Sequence, residues 1–424
     1  TATEHSLDGV LAENFSDILD RYFENRQTNI QPLTIENNKD TQEPEGAASL
    51  EPEQEAPLIL SKEEDKPKQP QRPDTRYITV LNVISTISVL YIHINDFWDN
   101  PDTRFLTKFY FKPNSRWDAA NYIQCIFYFA VPIFFMNSGA TLIDYRKRYS
   151  TIVHVKKRFE KTLIPYLGWS TIWIFSNWSV GLYKETPFDF KFFYEGYFFH
   201  RFCGVYWFFL PLFTIYAAII VFSAIQDEYK KNVFAMLIIY GFVTMSLFPF
   251  LLGFKELNMN KNLQFPASAQ GFMMYSLIGY YINTYEIEYF MRASIYVFGI
   301  LGLLFHIYGT SVLSYKAGEL VMLFKGYMNV PCVLYSVAIF TFFKYVKKGP
   351  VFDKIYSISK FFAPYTFGVY LNHYLIIRHV IYYMPFDVTS IYFRTFGVII
   401  VFLVSSGLTW VLHRIPVMKT ITPQ

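Results

Sequence analysis

A chain of 424 residues has the length of two or three soluble domains, but 52% hydrophobic and 20% aromatic side chains with only 17% charged exclude a soluble composition. Charge divides along the chain: residues 1–76 hold 17 acidic and 8 basic side chains, a balance of −9, whereas the remainder carries +13. The net +4 thus averages an acidic tail and a basic, apolar body.

Near its start the tail reads SLDGVLAENFSDILDRYFEN, where Leu7, Leu11, Phe15, Ile18 and Tyr22 recur at spacings of three and four. This predicts a short amphipathic helix within residues 1–27. Its polar face is acidic through Asp8, Glu13, Asp17, Asp20 and Glu24, unlike the basic faces that bind anionic lipid. Two readings stand: a docking helix for a protein partner, or a helix formed transiently in a disordered tail. Residues 28–76 are rich in Glu, Gln, Pro, Asn and Lys with almost no aromatic side chain, so they read as a disordered acidic linker. The first 60 residues carry no basic start, apolar run and small-residue cleavage site, and the amino terminus is expected in the cytoplasm.

Ten apolar segments follow, near 77–97, 121–143, 162–183, 205–225, 233–252, 268–284, 293–312, 327–345, 363–383 and 392–412, the sixth being the shortest. A crossing helix needs roughly 20 residues, and continuous apolarity points to helices rather than a barrel. The expected fold is therefore an all-α polytopic membrane protein with about ten transmembrane helices over 77–415 and a short cytoplasmic tail over 416–424. With the amino terminus inside, the inner connections hold about 21 Lys and Arg against about 12 outside, which places both termini in the cytoplasm. No internal repeat is evident. Cys125, Cys203 and Cys332 lack metal-ligand spacing and an even count, and read as packing residues.

The first span, LNVISTISVLYIHIND, carries Asn82, Ser85, Thr86, Val89, His93 and Asp96 on one face, because residues eleven apart on a helix lie within about 20° of each other. Val83, Ile84, Ile87 and Leu90 form the apolar remainder, facing lipid or neighbouring helices. An ionisable residue in a span usually faces a bundle interior or a wet cavity. His93 is then either a functional imidazole or a packing histidine bonded to Asp96 or a carbonyl near the interface.

LNVISTISVLYIH resembles the opening signature of the acyltransferase family 3 membrane proteins, with a histidine eleven positions after a basic residue. VPIFFMNSGATLIDY (131–145), KKRFEKTLIPY (156–166), YWFFLPLFTIY (206–216), IGYYI (278–282) and SISKFFAPYTFGVYLNHYLI (357–376) resemble further family elements in order, so the likeness covers about residues 76–415. One position departs: Asn82 stands where the family has Arg or Lys, leaving hydrogen bonding without net charge for the donor.

The resemblance implies transfer of an acyl group, commonly acetyl from acetyl-CoA, to a hydroxyl of a surface glycan or glycolipid. A hydroxyl needs a base to become a nucleophile, and imidazole is the usual one; His93 is the candidate, with Asp96 one turn on to orient it. For the donor phosphates, Asn82 joins Arg146, Arg148, Lys157, Arg158 and Lys161 of a loop also holding Lys147 and Lys156. The alternative for that loop is topogenesis and binding of anionic membrane lipids. Arg158 occupies the family's basic position before the third span.

In the ninth span, His373 matches the family's Tyr-Leu-x-His element and is expected to support the site, or else to bond between helices, while Arg378 and His379 are placed to snorkel to headgroups. His306 reads as structural. Trp207 reads as a packing or interface anchor or as lining a sugar path, and Ser138 as a packing residue. No hydrolase elbow, phosphate-cradling loop, metal set or nucleic-acid motif is present, so no metal, tightly bound cofactor or nucleic-acid partner is expected. The expected protein is an O-acetyltransferase of the bacterial plasma membrane. A transporter or flippase using the polar stripe as a path is the alternative, and a scaffold acting through its tail a third.

Overall fold

In the computed structural model of the protein, residues 74–96, 115–179, 181, 183, 186–260, 263, 271–383, 387 and 390–423 are described. The expected tail helix and nearly all of the acidic linker lie outside these residues.

Among the described residues there are helices and no strand. They are α1 (Arg76–Ile94), α2 (Ser115–Phe127), α3 (Ala130–Leu142), α4 (Thr151–Arg158), α5 (Ile164–Ser179), α6 (Phe190–Phe198), α7 (Phe209–Phe222) and α8 (Asp227–Phe242). There follow α9 (Phe248–Gly253), α10 (Phe272–Thr284), α11 (Tyr289–Ala317), α12 (Val330–Tyr345), α13 (Pro350–Phe362), α14 (Thr366–Tyr383), α15 (Ile391–Leu412) and α16 (Pro416–Ile421).

Among the described residues, six helical stretches are long and apolar enough to cross a membrane alone: Arg76–Ile94, Ser115–Lys147, Gly204–Phe222, Asp227–Gly253, Tyr289–Ala317 and Ile391–Leu412. A seventh arises if Val330–Tyr345 and Pro350–His379, bent by 110° at their break, count as one. The protein is thus multi-pass, but the expected count of about ten is not reached by these criteria. All ten apolar segments contain helix, yet α5 has 16 residues and α10 only 13. The apolarity of α10 serves burial against protein: Phe272 through Tyr280 are enclosed without interruption.

Prolines explain several breaks. Proline has no N–H to continue the ladder. Ahead of Pro165 the chain widens into a π turn over Phe159–Leu163, and ahead of Pro249 into another over Val243–Leu247. The second span turns at Tyr128 and Phe129, just before Pro132.

The helix α1 occupies the centre, packed by α2, α3, α13, α14 and α15. Its expected apolar remainder splits: Val83 and Leu90 are buried with Val369, Ile377, Val398, Val401 and Phe402, while Ile84 and Ile87 are only partly covered, also by protein. The helices α3 and α10 cross at glycines. A Cβ on Gly139 would stand 1.8 Å from the Ser276 carbonyl oxygen, and one on Gly279 2.1 Å from that of Met136. Such close backbone approach is how helices pack where lipid offers no hydrophobic drive. The periphery is α11, whose Val297, Ile300, Leu304 and Tyr308 point outward.

Candidate active site

On α1, Thr86 and Ser88 donate back to the carbonyls of Asn82 and Ile84, both at 2.8 Å, so these hydroxyls are satisfied within the helix. Asn82, His93 and Asp96 retain polar atoms for other partners. The helix ends at Ile94, and the turn beyond it folds Asp96 back over the last turn. His93 Nδ1 then lies 2.8 Å from Asp96 Oδ2. A carboxylate only accepts, so Nδ1 carries a proton, and in the neutral ring Nε2 keeps its lone pair. The His93 side chain is 17% and that of Asp96 25% exposed, so the pair is sheltered yet reachable.

Two residues of α14 close around the imidazole. The His373 ring centroid lies 5.4 Å from that of His93, and the Tyr374 ring meets it edge-on at 5.6 Å. His373 Nδ1 contacts the carbonyls of Val369 and Tyr370 at 3.0 and 2.8 Å. Both partners accept, so the proton sits on Nδ1 and Nε2 is again bare.

Behind Asp96 runs a buried polar chain that the sequence reading missed. Gln124 Nε2 donates to Asp96 Oδ1 at 2.8 Å and to the Ile92 carbonyl at 3.2 Å, while Gln124 Oε1 accepts from Lys325 Nζ at 2.6 Å. Lys325, only 1% exposed, also donates to Asn121 Oδ1 at 3.0 Å. Burial pushes the Lys325 ammonium below its ordinary value, opposed by Cys125 and Asp96. The available signal was a lone lysine amid apolar and aromatic neighbours in LVMLFKGYM.

Nearer the start of α1 is a cavity of about 300 Å³ lined by Asn82, Thr86, Asn137, Arg158, Lys161 and Tyr370, among others. Asn82 Oδ1 accepts from Asn137 Nδ2 at 2.7 Å. Arg158 lies at the start of the π turn and Lys161 within it, and the Arg158 guanidinium stands 5.3 Å from the centre of the Tyr216 ring. Tyr370 joins this cavity to the imidazoles, its ring centroid being 5.9 Å from that of His373.

The other loop cations are not among the cavity-lining residues. Arg146 donates to Ser223 Oγ at 2.9 Å, Arg148 donates to the Thr141 carbonyl, and Lys157 sits 4.1 Å from the centre of the Tyr149 ring. Lys147 bridges Asp144 and Asp227, each at 2.8 Å. His154 is buried and stacks on Tyr145, their ring centroids 4.1 Å apart, with the Tyr149 ring further off at 6.1 Å; burial, then Arg158 and Arg148, push it down to about 4.

Trp207 stacks on Tyr327, which stacks on Tyr128. Arg378 does not snorkel as expected. It is buried, its guanidinium donates to Asn177 Oδ1 at 2.5 Å and stands 5.7 Å from the centre of the Trp173 ring, because α5 supplies both partners. Ser138 lines the cavity but donates to the Phe134 carbonyl at 2.9 Å, and His306 is fully enclosed between Tyr128 and Tyr335. Cys125, Cys203 and Cys332 are buried and free. Among the described residues no three His, Cys, Asp or Glu side chains converge as metal ligands.

The acyltransferase family 3 domain matches residues 75–410, which includes the α1 stripe, the π turn and α14. A comparison with curated proteins gives no match, and neither does one with solved structures. With most of its length matched, and its imidazole, cavity and bundle all inside the matched region, this chain belongs to the acyltransferase family 3 of membrane proteins.

Proposed function

We propose that the protein moves an acyl group, acetyl in the simplest case, from acyl-CoA to a hydroxyl of a surface glycan or glycolipid, as an O-acyltransferase of the bacterial plasma membrane. The observation that carries this reading is the His93–Asp96 contact of 2.8 Å on the same helix that presents Asn82 to the cavity. In this reading the cavity end, with both termini, lies in the cytoplasm, and the His93 end opens towards the outer leaflet.

The cavity suits the donor. Two cations and an amide are the groups that hold phosphates, and Arg158, Lys161 and Asn82 supply them there. The cost of Asn82 in place of a cation falls on donor affinity. The thioester lies at the end of a flexible arm, and Tyr370 and His373 lead from the cavity towards His93. His93 Nε2 takes the acceptor hydroxyl proton as the oxygen attacks the thioester carbonyl. The carbon–sulfur bond breaks, and the thiolate takes the proton back, leaving an ester and free coenzyme A. Asp96 holds the ring in the required tautomer throughout, and Trp207 packs the aromatic column at the side.

The test is incubation of purified protein in proteoliposomes with labelled acetyl-CoA and glycan or glycolipid fractions. Label on the acceptor, lost in His93→Ala, is the expected result. Passage of acceptor across the bilayer without label would instead make the protein a carrier.

A further inference from the structure

The chain of buried groups behind Asp96 has a direction. Every link has a donor facing an acceptor: the Lys325 ammonium to the Gln124 carbonyl, the Gln124 amide to Asp96 Oδ1, and His93 Nδ1 to Asp96 Oδ2. The Gln124 amide has one workable orientation, because its nitrogen meets two acceptors, Asp96 and the Ile92 carbonyl, and its oxygen meets an ammonium. Both carboxylate oxygens therefore accept, and a proton on either one would compete with a link for that oxygen's lone pairs.

Taking Lys325 out of water is costly unless its hydrogens are used, and Asn121 and Gln124 use two of them. A lysine held this way ties the segment before α12 to Asn121 and Gln124 of α2 by hydrogen bonds that a methionine of similar length would not make. Resting on the reading of His93 as the base, we infer that Lys325 is a positioning residue that acts through Gln124 to keep Asp96 an acceptor and His93 in its Nδ1–H form.

Other titratable and charged groups face this chain. His373 and Tyr374 come from α14. Cys125 of α2 and His306 of α11 are within electrostatic range of Lys325, and Tyr128 and Tyr327 within range of Asp96. Tyr335 of α12 donates to the Cys125 carbonyl at 2.9 Å. Arg394 of α15 donates to Asn95 Oδ1 at 3.1 Å, next to Asp96. None of these supplies the hydrogen bond that Gln124 makes to Asp96 Oδ1. Without that link, a proton on Asp96 would turn it into a donor towards His93, force the other tautomer, and place the ring proton on the nitrogen that must act as base.

The experiment uses the full chain in proteoliposomes, with acetyl-CoA as donor and glycerol as acceptor alcohol, and follows coenzyme A release across pH. Lys325→Met and Gln124→Met should each lower kcat roughly 10–100-fold and move the acidic limb of the rate profile to higher pH, leaving KM for acetyl-CoA unchanged. The double variant should be no slower than the worse single one, since one chain is cut in both. Rates that fall by the same factor at every pH, or do not fall, would overturn the inference. Should Lys325→Met lose its cooperative thermal unfolding, Gln124→Met decides in its place. Activity surviving in His93→Ala would sink the base reading itself, whereas an inactive His93→Ala beside a wild-type profile in Lys325→Met would sink only this inference.

Discussion

His93 and His373 stand 5.4 Å apart between ring centroids, and each has its Nδ1 committed, the first to a carboxylate and the second to carbonyls of its own helix. With both rings neutral, two Nε2 lone pairs thus belong to one small region, at the meeting of α1 and α14. Replacing His373 by Phe keeps a ring in the space and removes the second nitrogen. The expected outcome is a loss of transfer of roughly 10–100-fold with unchanged thermal unfolding. A variant as fast as wild type would reduce His373 to packing.

Asp96→Asn keeps the side chain's shape but supplies an amide where both neighbours need an acceptor. The rate should fall roughly 10²–10⁴-fold, in line with removal of a general base or its orienting carboxylate. Binding of acetyl-CoA, measured by titration calorimetry, should be unaffected, because Asp96 lies beyond the cavity.

Asn82→Lys tests the departure from the family pattern. A cation at this position should tighten acetyl-CoA binding by about 1–2 kcal/mol and make it more sensitive to salt. Asn137 would lose the acceptor it now has, so thermal stability should fall by about 1 kcal/mol. Unchanged affinity would place the donor phosphates elsewhere.

Arg158→Met should raise KM for acetyl-CoA severalfold or more, with kcat nearly preserved, because phosphates far from the reacting carbon contribute binding common to ground and transition states. Arg146→Met and Arg148→Met should leave KM near the wild-type value, since those side chains serve Ser223 and Thr141. Equal effects at all three positions would mean that the loop acts as a diffuse basic patch.

His154 predicts an acid-labile component of stability. The unfolded imidazole takes up a proton near 6.5, the folded one only near 4. Between these values the unfolded chain binds more protons, so this contribution is complete above pH 6.5 and is lost as pH falls towards 4. It amounts to about 3 kcal/mol. His154→Phe should flatten the fall of the unfolding temperature in that window, and parallel wild-type and variant curves would refute it.

Much of the architecture was legible in the chain. Apolar runs and their composition are local properties, and they placed helix in all ten segments expected to cross the membrane. The number of crossings was not legible, because a run such as Phe272–Thr284 reads alike whether it meets lipid or, as here, α3. For the site, the eleven-residue spacing put Asn82 and His93 on one face of α1, and family elements in order pointed to His373. The meeting of His93 with Asp96 follows from a turn three residues long.

What the sequence by itself determined is therefore the helical, membrane-embedded body and the polar stripe on α1, since helix periodicity and hydropathy act over neighbouring residues. Only the tertiary structure decided which cations reach the cavity, which arginine turns inward, and that Lys325 joins Gln124 and Asp96. Those outcomes depend on groups far apart in the chain sharing one dry space, where every polar atom must find a partner, and no local pattern records which partner that is.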